Sequence, residues 1–198
     1  GFRAWASVSS LSYAGLFLLL ASSSFIYIGV LGTSRMSYGM LMAAGSVAYI
    51  TGTLACRRWL PKIGLLATVR RAAWFSLAAG LGMAALSLAG VQQVWAVFVP
   101  HCLFMFGHGI HQPCSQVGAI APFPEKAGTA ASMSGFLMML AAFLVGLWLG
   151  ENLDGTLFPL SLGLAVLAVA LTVVVRTVVQ KHGDPLEKTK PDRLPAIP

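Results

Sequence analysis

An all-α, polytopic membrane protein is the fold that the sequence predicts, on three observations. Six apolar stretches, at residues 11–30, 38–56, 72–90, 94–117, 129–149 and 157–175, each have about the 20 residues that a helix rising 1.5 Å per residue needs to cross a hydrocarbon core of about 30 Å. The chain is 57% hydrophobic and 10% charged, with a mean hydropathy of +0.79, whereas a soluble domain carries about a quarter charged residues. Most stretches are apolar all round, without the polar flank of a helix lying on a soluble core.

Charge placement orients the spans. If the six alternate, twelve of the thirteen Lys and Arg fall on one side: Arg3, Arg57, Arg58, Lys62, Arg70, Arg71, Lys126, Arg176, Lys181, Lys188, Lys190 and Arg193. Arg35 alone falls opposite. By the positive-inside rule both termini are expected in the cytoplasm, with Glu151 and Asp154 outside. The net charge of +7 is then a topological signal, and no nucleic-acid partner is expected. The spans make residues 1–179 one bundle, divided by a basic loop at 57–71 and turns at 91–93, 122–126 and 151–155. The Pro-rich, charged segment 180–198 is expected to be a disordered cytoplasmic tail. The chain opens on Gly1 with no signal peptide, which reads as a fragment or processed piece.

The spans follow an order. The first is polar, with Ser7, Ser9, Ser10, Ser12, Tyr13, Ser22, Ser23, Ser24 and Tyr27; the second is rich in small residues and Met; the third is apolar. The fourth is again polar, the fifth again small (Ala127, Gly128, Ala131, Gly135) and the sixth again apolar. A three-plus-three order is the compositional trace of inverted repeats in secondary transporters. It places spans one and four at a cavity, two and five against another bundle, and three and six toward lipid.

Span four carries the ionisable groups. His101, His108, His111, Gln112 and Ser115 share one face at 100° per residue, bracketed by Pro100 and Pro113, with Gly107 and Gly109 expected to loosen the middle. Three readings stay open. The histidines are interhelical hydrogen-bonding groups; or they contact substrate and exchange a proton, since His titrates near pH 6.5 unperturbed; or they bind metal, although no Asp, Glu or Cys shares that face. Cys56, Cys102 and Cys114 show no paired spacing and read as apolar packers. In the basic loop, Arg57, Arg58, Lys62 and Gly64 read either as a plain cytoplasmic loop or as a conformational latch needing a partner elsewhere.

The run from Pro122 through Ala127, Gly128, Thr129, Ala130, Ala131 to Gly135 resembles the start of the eleventh span in major facilitator superfamily drug:proton antiporters of the bicyclomycin and chloramphenicol resistance type (Bcr/CflA). Phe25-Ile26-Tyr27-Ile28 and the Arg57–Gly64 loop are similar to that family's seventh span and eighth-to-ninth loop. The resemblance implies the C-terminal six-helix half of a twelve-span transporter, with no enzymatic activity and no cofactor or resident metal. It implies proton-coupled efflux of drugs or small metabolites by alternating access, in the inner membrane, with an N-terminal half or a second copy as partner. The residues expected at the substrate are His101, His108, His111, Gln112 and Ser115, with Tyr13 and Tyr27 as aromatic contacts and His108 as the proton-coupling group. The contrasting readings are a His-rich metal-binding or metal-transport protein and a six-span scaffold.

Overall fold

The computed structural model describes residues 1–183. Five helices carry the chain: α1 (Phe2–Val30), α2 (Arg35–Leu88), α3 (Val94–Ile120), α4 (Pro124–Asn152) and α5 (Phe158–His182), all long and apolar enough to cross a membrane. No strand occurs among the described residues. At 54 residues a straight α2 would extend about 80 Å, more than twice the thickness of a hydrocarbon core. It is not straight. Gly64 takes φ 76° and ψ 172°, a backbone region that only glycine occupies without strain. The chain reverses there: the rings of Trp59 and Phe75 lie 6.5 Å apart, where one continuous helix would hold them about 24 Å apart. The two arms, residues 35–63 and 65–88, supply expected spans two and three. All six spans are therefore present.

The basic loop expected at 57–71 is a correction. Every residue of it except Gly64 is helical, Pro61 included. A single glycine supplies the whole change of direction, so no extended segment is needed. The first residues of the expected tail are helical. Residues 180–182 continue α5, and Trp5 Nε1 donates to the Gly183 carbonyl at 2.7 Å. The rest of that tail, 184–198, lies outside the described residues.

α3 is clasped by both arms of α2 and by α1. Its glycines make this possible, and here too expectation is corrected. Gly107 and Gly109 do not loosen α3, which is continuous from Val94 to Ile120; they admit neighbours. A Cβ on Gly107 would lie 2.6 Å from Ser76 Oγ of the second arm, and one on Gly109 would strike the Tyr49 carbonyl and lie 3.0 Å from the Thr53 nitrogen of the first. Pro113 completes that contact. Lacking an N–H, it leaves the Gly109 carbonyl without its helical donor, and Thr53 Oγ1 reaches that carbonyl at 3.3 Å, sharing its proton with the Tyr49 carbonyl of its own arm at 3.2 Å. Thr53→Val is expected to cost about 0.6 kcal/mol, the average for interhelical hydrogen bonds in membranes. In a Pro113→Ala background, where the carbonyl regains its own donor, the same change should cost less. Unfolding in sodium dodecyl sulfate measures both.

α1 plays the matching part against α4 and α5. α1 and α4 run parallel, with Ser9 meeting Met138 and Phe17 meeting Gly146. α5 crosses back over α1 and the second arm, where Gly80 faces Ala168, and Thr172, whose hydroxyl donates to the Ala168 carbonyl at 2.7 Å, stands 3.4 Å from the Ala73 carbonyl. Thr156 donates from its backbone and hydroxyl to Asp154 Oδ1 in the α4–α5 turn, at 3.0 and 2.7 Å. These bonds favour the ionised Asp154 carboxylate and hold it below its ordinary value.

The interior is layered. One apolar cluster gathers Trp5, Val8, Cys56, Val69, Ile110, Cys114 and Leu171 toward the basic end. A second gathers Leu18, Ile26, Ala79, Val97, Phe104 and Leu164 toward the other. Between them lie the buried polar side chains of Ser12, Ser76 and His108, with Ser9 and His111 buried at the edge of the first cluster. The outside is apolar. Met36, Met40, Val47, Ile50 and Leu54 line the open face of the first arm, and Trp74, Leu81 and Leu88, seven apart, that of the second. A face of this kind is stable against hydrocarbon and not against water.

Candidate functional site

The polar stripe of α3 points into the bundle. Its histidines are at most 3% exposed, and His111 not at all, because the exposed flank of α3 is the opposite one, with Trp95, Val99 and Val117. The stripe meets three different neighbours. At one level His101 packs against the ring of Tyr27, centroids 6.5 Å apart, and a Cβ on Gly45 of the first arm would lie 3.0 Å from its Nε2. Tyr27 also faces Tyr38, centroids 6.2 Å apart, whose hydroxyl pairs with Ser23 Oγ at 2.8 Å. The local backbone of α1 allows this meeting. Ser22 and Ser23 hydroxyls donate to the carbonyls of Leu18 and Leu20, and the helix then widens to π geometry over Phe25–Val30. Back-bonded serines and π turns both bend helices, and π turns recur at functional sites.

Two turns further along, His108 Nδ1 and Ser12 Oγ are 2.8 Å apart, a hydrogen bond whose donor depends on the histidine tautomer. The Tyr49 ring lies 5.7 Å from the imidazole, centroid to centroid. His111 turns the other way, toward the backbone of Ala72 in the second arm. Neither of its ring nitrogens, nor Ser76 Oγ on the same arm, meets a hydrogen-bond partner among the described residues. Ser115 Oγ donates back to the Gln112 carbonyl at 3.0 Å and leaves the site. Gln112 does not join the histidines. Its Nε2 points at Met138 Sδ, 3.8 Å away, where Gln116 Nε2 at 3.7 Å and Ser9 Oγ at 2.8 Å also converge. Tyr13 stands apart, half-buried on α1.

The site is thus two clusters, not one: His101 with Tyr27, Tyr38 and Ser23, and His108 with Ser12 and Tyr49. The sequence reading missed Tyr38, Tyr49 and Met138. The first two share a helical face with Gly45, Gly52 and Cys56, a 3.6-residue pattern that points them at α3. Met138 carried no such signal, since a thioether in an apolar span reads as filler. Among the described residues no three His, Cys, Asp or Glu side chains gather into a metal-holding group.

The conformational and packing residues are also placed. Arg57, Arg58 and Lys62 are exposed. The basic end is braced by ring contacts, Arg71 standing 5.9 Å from the Trp59 ring centroid and Arg176 4.2 Å from that of Trp74. Ala127 is half-buried, Gly128 and Ala131 are exposed and Gly135 is half-buried. A Cβ on Gly128 or Gly135 would meet nothing within 4 Å. The small-residue stripe is therefore open.

Multidrug resistance protein D of Escherichia coli (strain K12) is 33% identical over 129 residues, covering 65% of this chain and 32% of that protein. The Bicyclomycin resistance protein homolog of Haemophilus influenzae is 22% identical over 138 residues, 70% of this chain and 34% of that protein. The chain spans about a third of the length of the curated relatives it matches. No family model and no solved structure matches it. Six membrane-crossing segments, with polar groups on the first and fourth of them, accompany this similarity to two drug-resistance proteins.

Proposed function

We propose that the chain is the C-terminal six-helix half of a proton-coupled efflux transporter for drugs or small metabolites. The observation that carries this reading is the polar belt between two apolar clusters. Secondary transporters bind substrate and coupling ion near the bilayer midplane, and a buried, hydrogen-bonded histidine in a lipid-immersed bundle marks such a pathway more often than it serves stability. His108, tied to Ser12 of α1, is the proton-exchanging group of this proposal. His101, two turns away, heads the second cluster and presents Tyr27 to substrate; His111, Gln112 and Tyr13 lie outside both clusters and are assigned no direct contact.

An N-terminal half, or a second copy, completes the molecule. The open Gly128–Ala131–Gly135 stripe of α4 and the apolar face of the first arm of α2 are the surfaces it would cover. Small side chains allow close approach of helices. Alternating access then follows from rocking of one half against the other, in the inner membrane with both termini cytoplasmic.

Co-expression with an N-terminal half of the same type is expected to give drug export that a protonophore abolishes. His108→Ala should flatten the pH profile of export between about pH 5 and 8, the range in which imidazole changes charge. Export that survives the protonophore removes proton coupling from the proposal. Unimpaired coupling with an unaltered profile in the variant removes His108 and leaves transport standing.

A further inference from the structure

α4 has three flanks with different surroundings. One is buried against α1 through Ser134, Met138 and Ala142. A second carries the open small residues. Along the third, Lys126, Met133, Leu137, Leu140 and Leu144 recur at helical spacing beside a trough. Its floor is α1 and its far wall reaches Val174 of α5. The larger part has a volume of about 430 Å³ and runs past Arg3, Ser7, Leu11, Leu137, Leu140 and Leu144. A second part of about 250 Å³ holds Lys126, Thr129 and Met133. Phe2 lines both and divides them, its ring set edge-on to Phe123 at 6.1 Å.

The trough is graded along its length. Arg3 and Lys126, both exposed, stand at its basic end; because α1 and α4 run parallel in register, they are separated by about 9 Å along the axis. Ser7 and Ser10 follow along α1, and the α4 wall facing them is apolar, with Leu137, Leu140, Ala141 and Leu144. From Lys126 to Leu144 the helix rises about 27 Å, enough for a headgroup and the hydrocarbon of one leaflet. Bilayer hydrocarbon enters any apolar trough of this kind. Two cations at its mouth add selection, because basic residues at the membrane surface attract negatively charged headgroups.

We propose that this trough is a binding site for an anionic phospholipid of the leaflet at the basic end of the bundle. Its phosphate lies between Arg3 and Lys126, and one acyl chain lies along Leu137, Leu140 and Leu144. This site stands on the membrane fold alone and does not depend on the transport proposal. The test is native mass spectrometry of the full chain in detergent micelles, titrated with phosphatidylglycerol and, separately, phosphatidylcholine. Phosphatidylglycerol should be retained about tenfold more strongly, given two basic contacts. Arg3→Gln with Lys126→Gln should abolish the preference. Leu140→Trp, which keeps the charge and fills the trough, should reduce phosphatidylglycerol retention severalfold. Glycerol phosphate, the headgroup without a chain, should not compete.

Equal retention of the two lipids by the unaltered protein would show ordinary boundary lipid and overturn the proposal, whatever the variants do. Competition by glycerol phosphate would overturn it too, leaving an anion site without a lipid. A preference that survives loss of both cations would place the headgroup elsewhere. All three substituted side chains are exposed, and circular dichroism checks that helicity is kept.

Discussion

Gly52→Leu is expected to disrupt the bundle more than any other single change on the first arm. A Cβ at residue 52 would lie 2.9 Å from the carbonyl carbon of Phe106 and 3.1 Å from its Cα, and closer still to its oxygen. These are backbone atoms of α3, so no side chain can swing aside. The arm must move away, and it carries with it the contact of Tyr49 with Gly109 and the Thr53 hydrogen bond. Overpacking costs about 1–3 kcal/mol where neighbours adjust, and a rigid helix–helix contact sits at the upper end or above. Gly52→Ala should already lower the midpoint of unfolding in sodium dodecyl sulfate, and Gly52→Leu should leave little folded protein. Gly39 and Gly82 supply the control, since a Cβ there meets nothing within 4 Å. Alanine at either should be neutral or stabilising by up to about 1 kcal/mol. A Gly52 variant as stable as these controls would refute the close approach of the arm to α3.

Trp5→Ala is the second large effect. Trp5 is fully buried at the start of α1. Its indole lies over Gly118 of α3, and its Nε1 bonds the Gly183 carbonyl. One side chain thus joins α1, α3 and the end of α5. Removal of a buried Trp costs about 3–5 kcal/mol in transfer and cavity terms, and here it also leaves a carbonyl unpaired. Trp5→Phe keeps most of the packing and forfeits the hydrogen bond, about 1 kcal/mol. The two variants, compared by thermal denaturation in detergent, should therefore separate by several degrees or more. Equal losses in both would mean that the hydrogen bond and not the ring holds this corner.

Much of this was legible before any coordinates. Spans follow from hydropathy because in lipid every backbone group must be satisfied within its own helix. The inward face of α3 follows from His101, His108 and His111 because a polar stripe cannot face hydrocarbon. What the sequence could not supply is who meets whom. His111 shares its stripe with His108 yet turns to a different helix, since 60° of rotation separates two neighbours in a tight bundle. Gly107 and Gly109 looked like weak points in a helix and are docking points, a distinction that depends on the partner surface. The basic loop was read from charge alone, and charge does not say whether Arg57 and Arg71 sit on coil or on helix.

That short reversal has a mechanical consequence. Only Gly64 leaves helical geometry between Arg35 and Leu88, so the two arms are joined like the limbs of a pair of tongs, with a single pivot at the charged end. Sliding past each other is denied them. Any parting of the arms must be narrowest beside Gly64 and widest at Arg35 and Leu88, beyond the level of Tyr38 and His101. A helix pair so joined turns small rotations at one membrane face into larger displacements at the other.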